Sequence, residues 1–319
     1  MSGHLTLKPH LSEAGQLEKM RARGLLVDNE PNAFQDLARF GYYRLSGYYY
    51  PLRRLDASGL AVRQDDFIDG ASLALVVALA DFDKRLRLLP LEAIETVEVA
   101  VRVAIAHRLG KFSSQAHLDP ALLDRKFTQV RPGQVDSAYD AWRARFVDRC
   151  EKSKEDFWLH HVERYGGHMP IWVAIELWDF GLLSRFYEGM QQRDRDAIAS
   201  KFVPKLEGPV FGNWLRMINF VRNVAAHHSR LWNRTLPDVA KLPPLEKCRL
   251  LKPLHDDPSA CRKVFAALTC LRLLLRAIHP RSDWHQRLSS LVASFPPSSL
   301  ISIQSAGFKT GWNDFEIWT

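Results

Sequence analysis

Phe220-Val-Arg222-Asn223-Val-Ala-Ala-His227-His228-Ser-Arg230-Leu-Trp232-Asn233-Arg234 closes a run, 211–232, whose apolar residues recur at helical spacing. Trp214, Met217, Val221, Ala225, His228 and Trp232 fall on one apolar stripe. Asn223, His227, Arg230 and Arg234 fall on a polar one, at spacings of four, three and four. Positions five apart stand about 140° apart on a helix, so Arg222 and His227 share no stripe. They can converge at a helix end, through the reach of the arginine, or across an interface with a second copy. The two stripes also separate the adjacent histidines. His227 lies among polar and basic residues and is the candidate for chemistry, while His228 reads as structural. Ala225 and Ala226 are small enough to admit another helix closely.

Outward from this run the signals are helical almost everywhere. Ser12 caps a helix that Gly24 ends, and Pro31 opens a second helix reaching about residue 40. Tyr42-Tyr43-Arg44-Leu-Ser-Gly47-Tyr48-Tyr49-Tyr50-Pro51-Leu-Arg53-Arg54 carries helix breakers, and Asp56-Ala-Ser-Gly59 is a turn signal, so a short hairpin is expected there. Residues 72–110 read as helix with a kink or junction at Pro90. Residues 135–165 read as one charged helix ended by Gly166-Gly167, residues 171–192 as another opened by Pro170, and 260–279 as a strongly apolar core helix. Residues 294–319 are rich in Pro, Ser and Gly and read as an irregular tail whose Phe308, Trp312 and Trp318 pack onto the body. The fold class is all-α. The expected organisation is an N-terminal helical and hairpin extension (1–66), a helical domain (67–285) and the irregular tail (286–319).

Composition narrows the partners. The 319 residues carry 44 Lys+Arg against 36 Asp+Glu, a net charge of +8, which favours a polyanion such as nucleic acid. The four cysteines form no Cys-x-x-Cys pair, which argues against a zinc ribbon and fits a reduced, cytoplasmic chain. The first ten residues lack the apolar core of a signal peptide, and no apolar run is long enough to span a bilayer, so no membrane partner is expected.

An arginine, an asparagine and a histidine within one and a half turns are sufficient to cleave RNA without a metal. The 2′-hydroxyl of RNA is the nucleophile, so the protein need only move a proton and stabilise charge on phosphorus. His227 is suited to the first task near neutral pH, and the planar guanidinium of Arg222 to the second. The bare Arg-x4-His spacing is weak, since it recurs as Arg102…His107; there Glu98, four residues before Arg102, explains the arginine as an ion pair. Arg53 and Arg54 are candidates for RNA contact, whereas Tyr42 and Tyr48 read as packing residues. His160, His161 and His168 with Glu163 have no standard zinc spacing. No glycine-rich phosphate loop or nucleophile elbow occurs, and neither a metal nor a cofactor is expected.

The context of the motif adds specificity. Val221-Arg-Asn-Val-Ala-Ala-His-His-Ser-Arg-Leu-Trp-Asn-Arg234 resembles the signature of bacterial abortive-infection proteins of the Abi D/F type, in the HEPN superfamily (higher eukaryotes and prokaryotes nucleotide-binding). So do Tyr42-Tyr43-Arg44-Leu-Ser-Gly-Tyr48, Phe82-Asp83-Lys-Arg-Leu-Arg, Ile94-Glu95-Thr-Val-Glu98-Val-Ala-Val-Arg102, Pro170-Ile-Trp172-Val-Ala-Ile-Glu176-Leu-Trp-Asp-Phe-Gly181, and Gly307-Phe308 with Trp312. The resemblance implies a HEPN-type helical bundle, metal-independent endoribonuclease chemistry and phage defence through growth arrest. It implies a composite site in a homodimer and, in some relatives, a small structured noncoding RNA as partner. By motif it implies Arg222 and His227 as catalytic residues with Asn223 orienting them. A glutamate from a neighbouring helix, Glu98 or Glu176, would hold the arginine. Arg230 and Arg234 would anchor flanking phosphates. Two functions follow: an endoribonuclease cutting single-stranded RNA, or an RNA-binding scaffold whose nuclease is silent or lost.

Overall fold

A computed structural model of the chain describes residues 9–56 and 62–319; within it the chain clusters into two compact units, Met1–Leu86 with Ser290–Ser305, and Arg87–Ser289 with Ala306–Thr319. It is all-α except for one small two-stranded sheet among the described residues. The boundary between the units falls inside a single helix, Leu73–Leu109, that continues through Pro90. Pro90 cannot donate to the carbonyl of Leu86, so this turn lacks one backbone hydrogen bond.

In the first unit the helix Glu13–Ala22 is capped by Ser12, whose hydroxyl accepts from the Gly15 N–H at 3.2 Å. The next, Glu30–Phe40, is capped by Asn29 and carries Pro31 in its first turn. Tyr42–Tyr49 forms a third helix, where the breakers in this block had pointed to a hairpin. The reason is burial. Leu45, Tyr48 and Tyr49 point into the core, and their apolar contacts outweigh the cost, about 1 kcal/mol, of Gly47 within a helix. Tyr48 donates to Asp83 Oδ2 at 2.7 Å, so both buried polar groups are satisfied. The hairpin follows one step later, as antiparallel strands Arg53–Leu55 and Arg63–Phe67. Of the turn signal between them, 57–59 lie outside the described residues.

The second unit is a helical bundle around Gly208–Ala226. This helix packs on Phe180–Gly189, Gln192–Phe202 and the apolar helix Val264–Ile278. Phe211, Trp214, Met217, Ile218, Val221 and Ala225 are its buried face. A second core gathers Tyr139, Trp142, Phe146, Trp178 and Phe186 edge to face and stacked, with Trp142 Nε1 donating to the Leu182 carbonyl at 3.0 Å. Phe308, Trp312 and Trp318 of the tail pack against Phe265 and each other through short 3-10 turns. All four cysteines are buried thiols.

Two expected long helices are each split. Residues 135–165 form Ala138–Lys152 and Asp156–Tyr165, because the Ser153 hydroxyl accepts from the Glu155 N–H at 3.2 Å and turns the chain out of the helix. Residues 171–192 form the short turns Ile171–Ala174 and Ile175–Leu177, then Phe180–Gly189, which Asp179 starts by accepting from the Leu182 N–H at 2.8 Å. Among the described residues no helix is long and apolar enough to cross a membrane.

Candidate functional site

The motif helix ends at Ala226, six residues short of the expected 232. His227 is its C-cap at φ −88° and ψ 13°. The His228 N–H bonds the Ala225 carbonyl at 3.0 Å, and the Ser229 N–H bonds the Val224 carbonyl at 2.9 Å. This double bond pattern is the Schellman motif, which satisfies the last carbonyls by turning one residue left-handed. His228 is that residue, at φ 56°. Two readings are corrected by this termination. Arg230 and Arg234 continue no polar stripe with His227, and His228 leaves the apolar stripe and is exposed.

The candidate residues sit at this helix end. Arg222 and Asn223 occupy the last helical turn, half-buried and exposed, and His227 stands exposed at its end. Arg222 Nη1 donates to Asn223 Oδ1 at 3.3 Å. Arg222 also lines a groove of about 1110 Å³ within the second unit. The helix Leu73–Leu109 contributes Glu98 and Arg102 to this groove, and the segment 176–178 contributes Glu176 and Trp178.

The two candidate acids act on Arg102. Arg102 Nη2 donates to Glu98 Oε1 at 2.5 Å and to the Trp178 carbonyl at 2.7 Å, and Nη1 donates to Glu176 Oε2 at 3.1 Å. The ion pair inferred from the Glu98/Arg102 spacing is therefore present, and Glu176 reinforces it from another element. Burial raises the Glu98 carboxyl above its ordinary value, against the charges of Arg102 and Arg222 that pull it down. Glu98 thus feels both arginines. His107 is exposed, one turn beyond Arg102 on the same helix.

The other candidates are engaged elsewhere. Arg234 Nε donates to the Arg230 carbonyl at 2.8 Å, so these two residues close the turn after the helix. In the first unit, Arg53 pairs with Asp65 at 3.2 Å, and Arg54 pairs with Asp69 at 2.6 Å and with the Phe67 carbonyl at 3.0 Å. These bonds tie the two strands together, which is a structural use of both arginines. Among the described residues no three His, Cys, Asp or Glu stand together in a way that could hold a metal ion.

The sequence reading missed a set of cations on the groove: Arg145, Arg149 and Lys152 of the helix Ala138–Lys152, and Lys154 just after it. Arg145, Arg149 and Lys152 are spaced four and three apart, the period of one helix edge, and that spacing was the available signal. Asp179, which caps the neighbouring helix, also takes the guanidinium of Arg149 and stands 3.8 Å from that of Arg145. Burial pushes its carboxyl up, but the Leu182 N–H and the two arginines together hold it below the ordinary aspartate value.

A family model described as Abi-like protein matches residues 35–233, well over half of the chain. The chain belongs to the Abi-like protein family. The matched stretch of this Abi-like protein contains the tyrosine block, Glu98, Arg102, Glu176 and the whole of Arg222 to Asn233; Arg234 and the tail aromatics lie beyond it. The membership points to abortive infection as the biological setting, in agreement with the resemblance carried by those blocks. Comparisons with curated proteins and with solved structures returned no match.

Proposed function

We propose that this Abi-like protein is a metal-independent endoribonuclease of the HEPN type that acts in phage defence by cutting single-stranded RNA. The observation that supports the reading best is the end of the helix Gly208–Ala226. Its termination leaves Arg222 and Asn223 in the last turn and an exposed imidazole at the cap, and Arg222 lines a groove large enough for a polymer strand.

In the proposed reaction His227 takes the proton of a ribose 2′-hydroxyl. The 2′-oxygen attacks the adjacent phosphorus, and the bond to the 5′-oxygen breaks. Arg222 stabilises the extra negative charge of the pentacoordinate phosphorus, and Asn223 holds the Arg222 fork through the bond between them. The leaving 5′-oxygen takes a proton from a second imidazole, His227 of a second copy in a homodimer. The products are a 2′,3′-cyclic phosphate and a 5′-hydroxyl. DNA has no 2′-hydroxyl and is inert. In-line attack needs a flexible linkage, so loops and single strands are the substrates.

Wild type and His227→Ala are incubated with mixed-sequence RNA in EDTA, and the fragment ends are mapped. The expected outcome is cyclic-phosphate ends with the wild type and a loss of at least about a hundredfold in rate with the variant, the scale of removing a general acid or base. Equal cleavage by both proteins overturns the assignment of His227. If neither cuts and RNA co-purifies, the chain is instead an RNA-binding scaffold holding a small structured RNA.

A further inference from the structure

We propose that the groove beside Arg222 is the track by which a single RNA strand reaches the site, with the basic edge of the helix Ala138–Lys152 gripping its phosphates. The inference rests on the ribonuclease reading only for the identity of the ligand. The groove itself, about 1110 Å³, is lined mostly by charged side chains, whereas small-molecule pockets are lined mostly by apolar ones. Arg145, Arg149 and Lys152 stand on one edge of their helix with side chains 62%, 51% and 73% exposed. Seven residues of helix span about 10 Å, long enough to meet successive phosphates. Lys154 extends the row into the next turn, and Arg222, from the last turn of the helix Gly208–Ala226, lines the same groove.

Four of the five carboxylates that line it are occupied within it: Glu98 and Glu176 by Arg102, Asp148 by Lys152, and Asp179 by Arg149 and Arg145. One carboxylate shared between two guanidiniums leaves most of their ten N–H donors for a ligand. It also holds the two forks in place, which lowers the entropy lost on gripping a phosphate.

The test uses the full chain carrying His227→Ala, so that binding is read without turnover. A fluorescently labelled, mixed-sequence single-stranded RNA is titrated at several salt concentrations by anisotropy. The combined variant Arg145→Gln, Arg149→Gln and Lys152→Gln should weaken binding at least tenfold at about 0.1 M salt. It should also flatten the dependence of log affinity on log salt by about 2, the loss of three single-strand phosphate contacts. A charge-matched variant elsewhere, Arg164→Gln, Lys201→Gln and Arg131→Gln, should leave both quantities near wild type. Equal weakening by both triple variants overturns the track, as does unchanged binding by the first or no RNA binding by the parent. If the triple variant fails to melt cooperatively, Lys152→Gln alone, the most exposed position, should still weaken binding and lower the slope by about 0.7. Binding that depends on the groove, with no cleavage by the wild type in EDTA, sustains the track and removes the nuclease. Cleavage that ignores the groove substitutions does the reverse.

Discussion

His228 shows how a single backbone dihedral redirects a functional reading. A helix carried on to Trp232 would bury His228 between Ala225 and Trp232. Instead the chain turns left-handed at this residue, and a side chain with a Cβ pays about 1–2 kcal/mol in that conformation where glycine does not. His228→Val, β-branched and least tolerant of positive φ, should unfold about 1–2 kcal/mol more readily than His228→Gly in urea melts. Comparing two variants that both lack the imidazole isolates the backbone term. Equal stabilities would show that the left-handed turn is not what His228 contributes.

At the scale of elements, short polar side chains decide where helices stop and start. Ser153 splits one expected helix and Asp179 splits another. The hydrophobic period continues across both breaks and so conceals them. Asp179 caps the helix Phe180–Gly189 and also holds the arginines of the adjacent one, which makes it separable by substitution. Asp179→Ala should cost about 1 kcal/mol by loss of the cap, whereas Asp179→Ser should retain most of that stability. Thermal melts of the two variants check this, and an equal loss in both would assign the stability to the ion pairs instead. Pattern alone located Leu73–Leu109 almost to the residue, even across Pro90, because burial of its long apolar face outweighs one missing hydrogen bond.

For the whole molecule, the pH dependence of stability has a buried contributor. His117 is 1% exposed, packs edge-on to Phe146 beside Trp178, and is lowered by burial from an ordinary 6.5 to about 4. Between these values the unfolded chain binds the proton and the folded chain does not, so stability rises with pH. The contribution is fully present above about pH 6.5 and is lost as pH falls towards 4, by up to about 3 kcal/mol. Urea melts at pH 4.5 and 7 should show this slope in the wild type and a shallower one in His117→Phe. Identical slopes would assign the acid sensitivity to other groups.

The class of structure is legible in the residue pattern alone, and so are the residues put forward for the chemistry. Apolar residues at helical period, the Ser12 cap, Pro31 at a helix start and the turn signal 56–59 suffice for an all-α chain with a short hairpin near that turn. Arg222, Asn223 and His227 are the residues proposed from that pattern for the chemistry. The Glu98/Arg102 ion pair was also legible, because both partners lie on one helix. Features that depend on distant partners emerge only once the chain is folded. Tyr42–Tyr49 is helical because its core contacts outweigh its glycine. Arg53 and Arg54 are held by Asp65 and Asp69, across a turn whose geometry no period encodes. The groove exists because helices far apart in sequence bring Arg102, Arg145, Arg149 and Arg222 around one space. Local pattern reports which face of an element seeks burial. It carries no information about which other element that face, or the charges beside it, will meet.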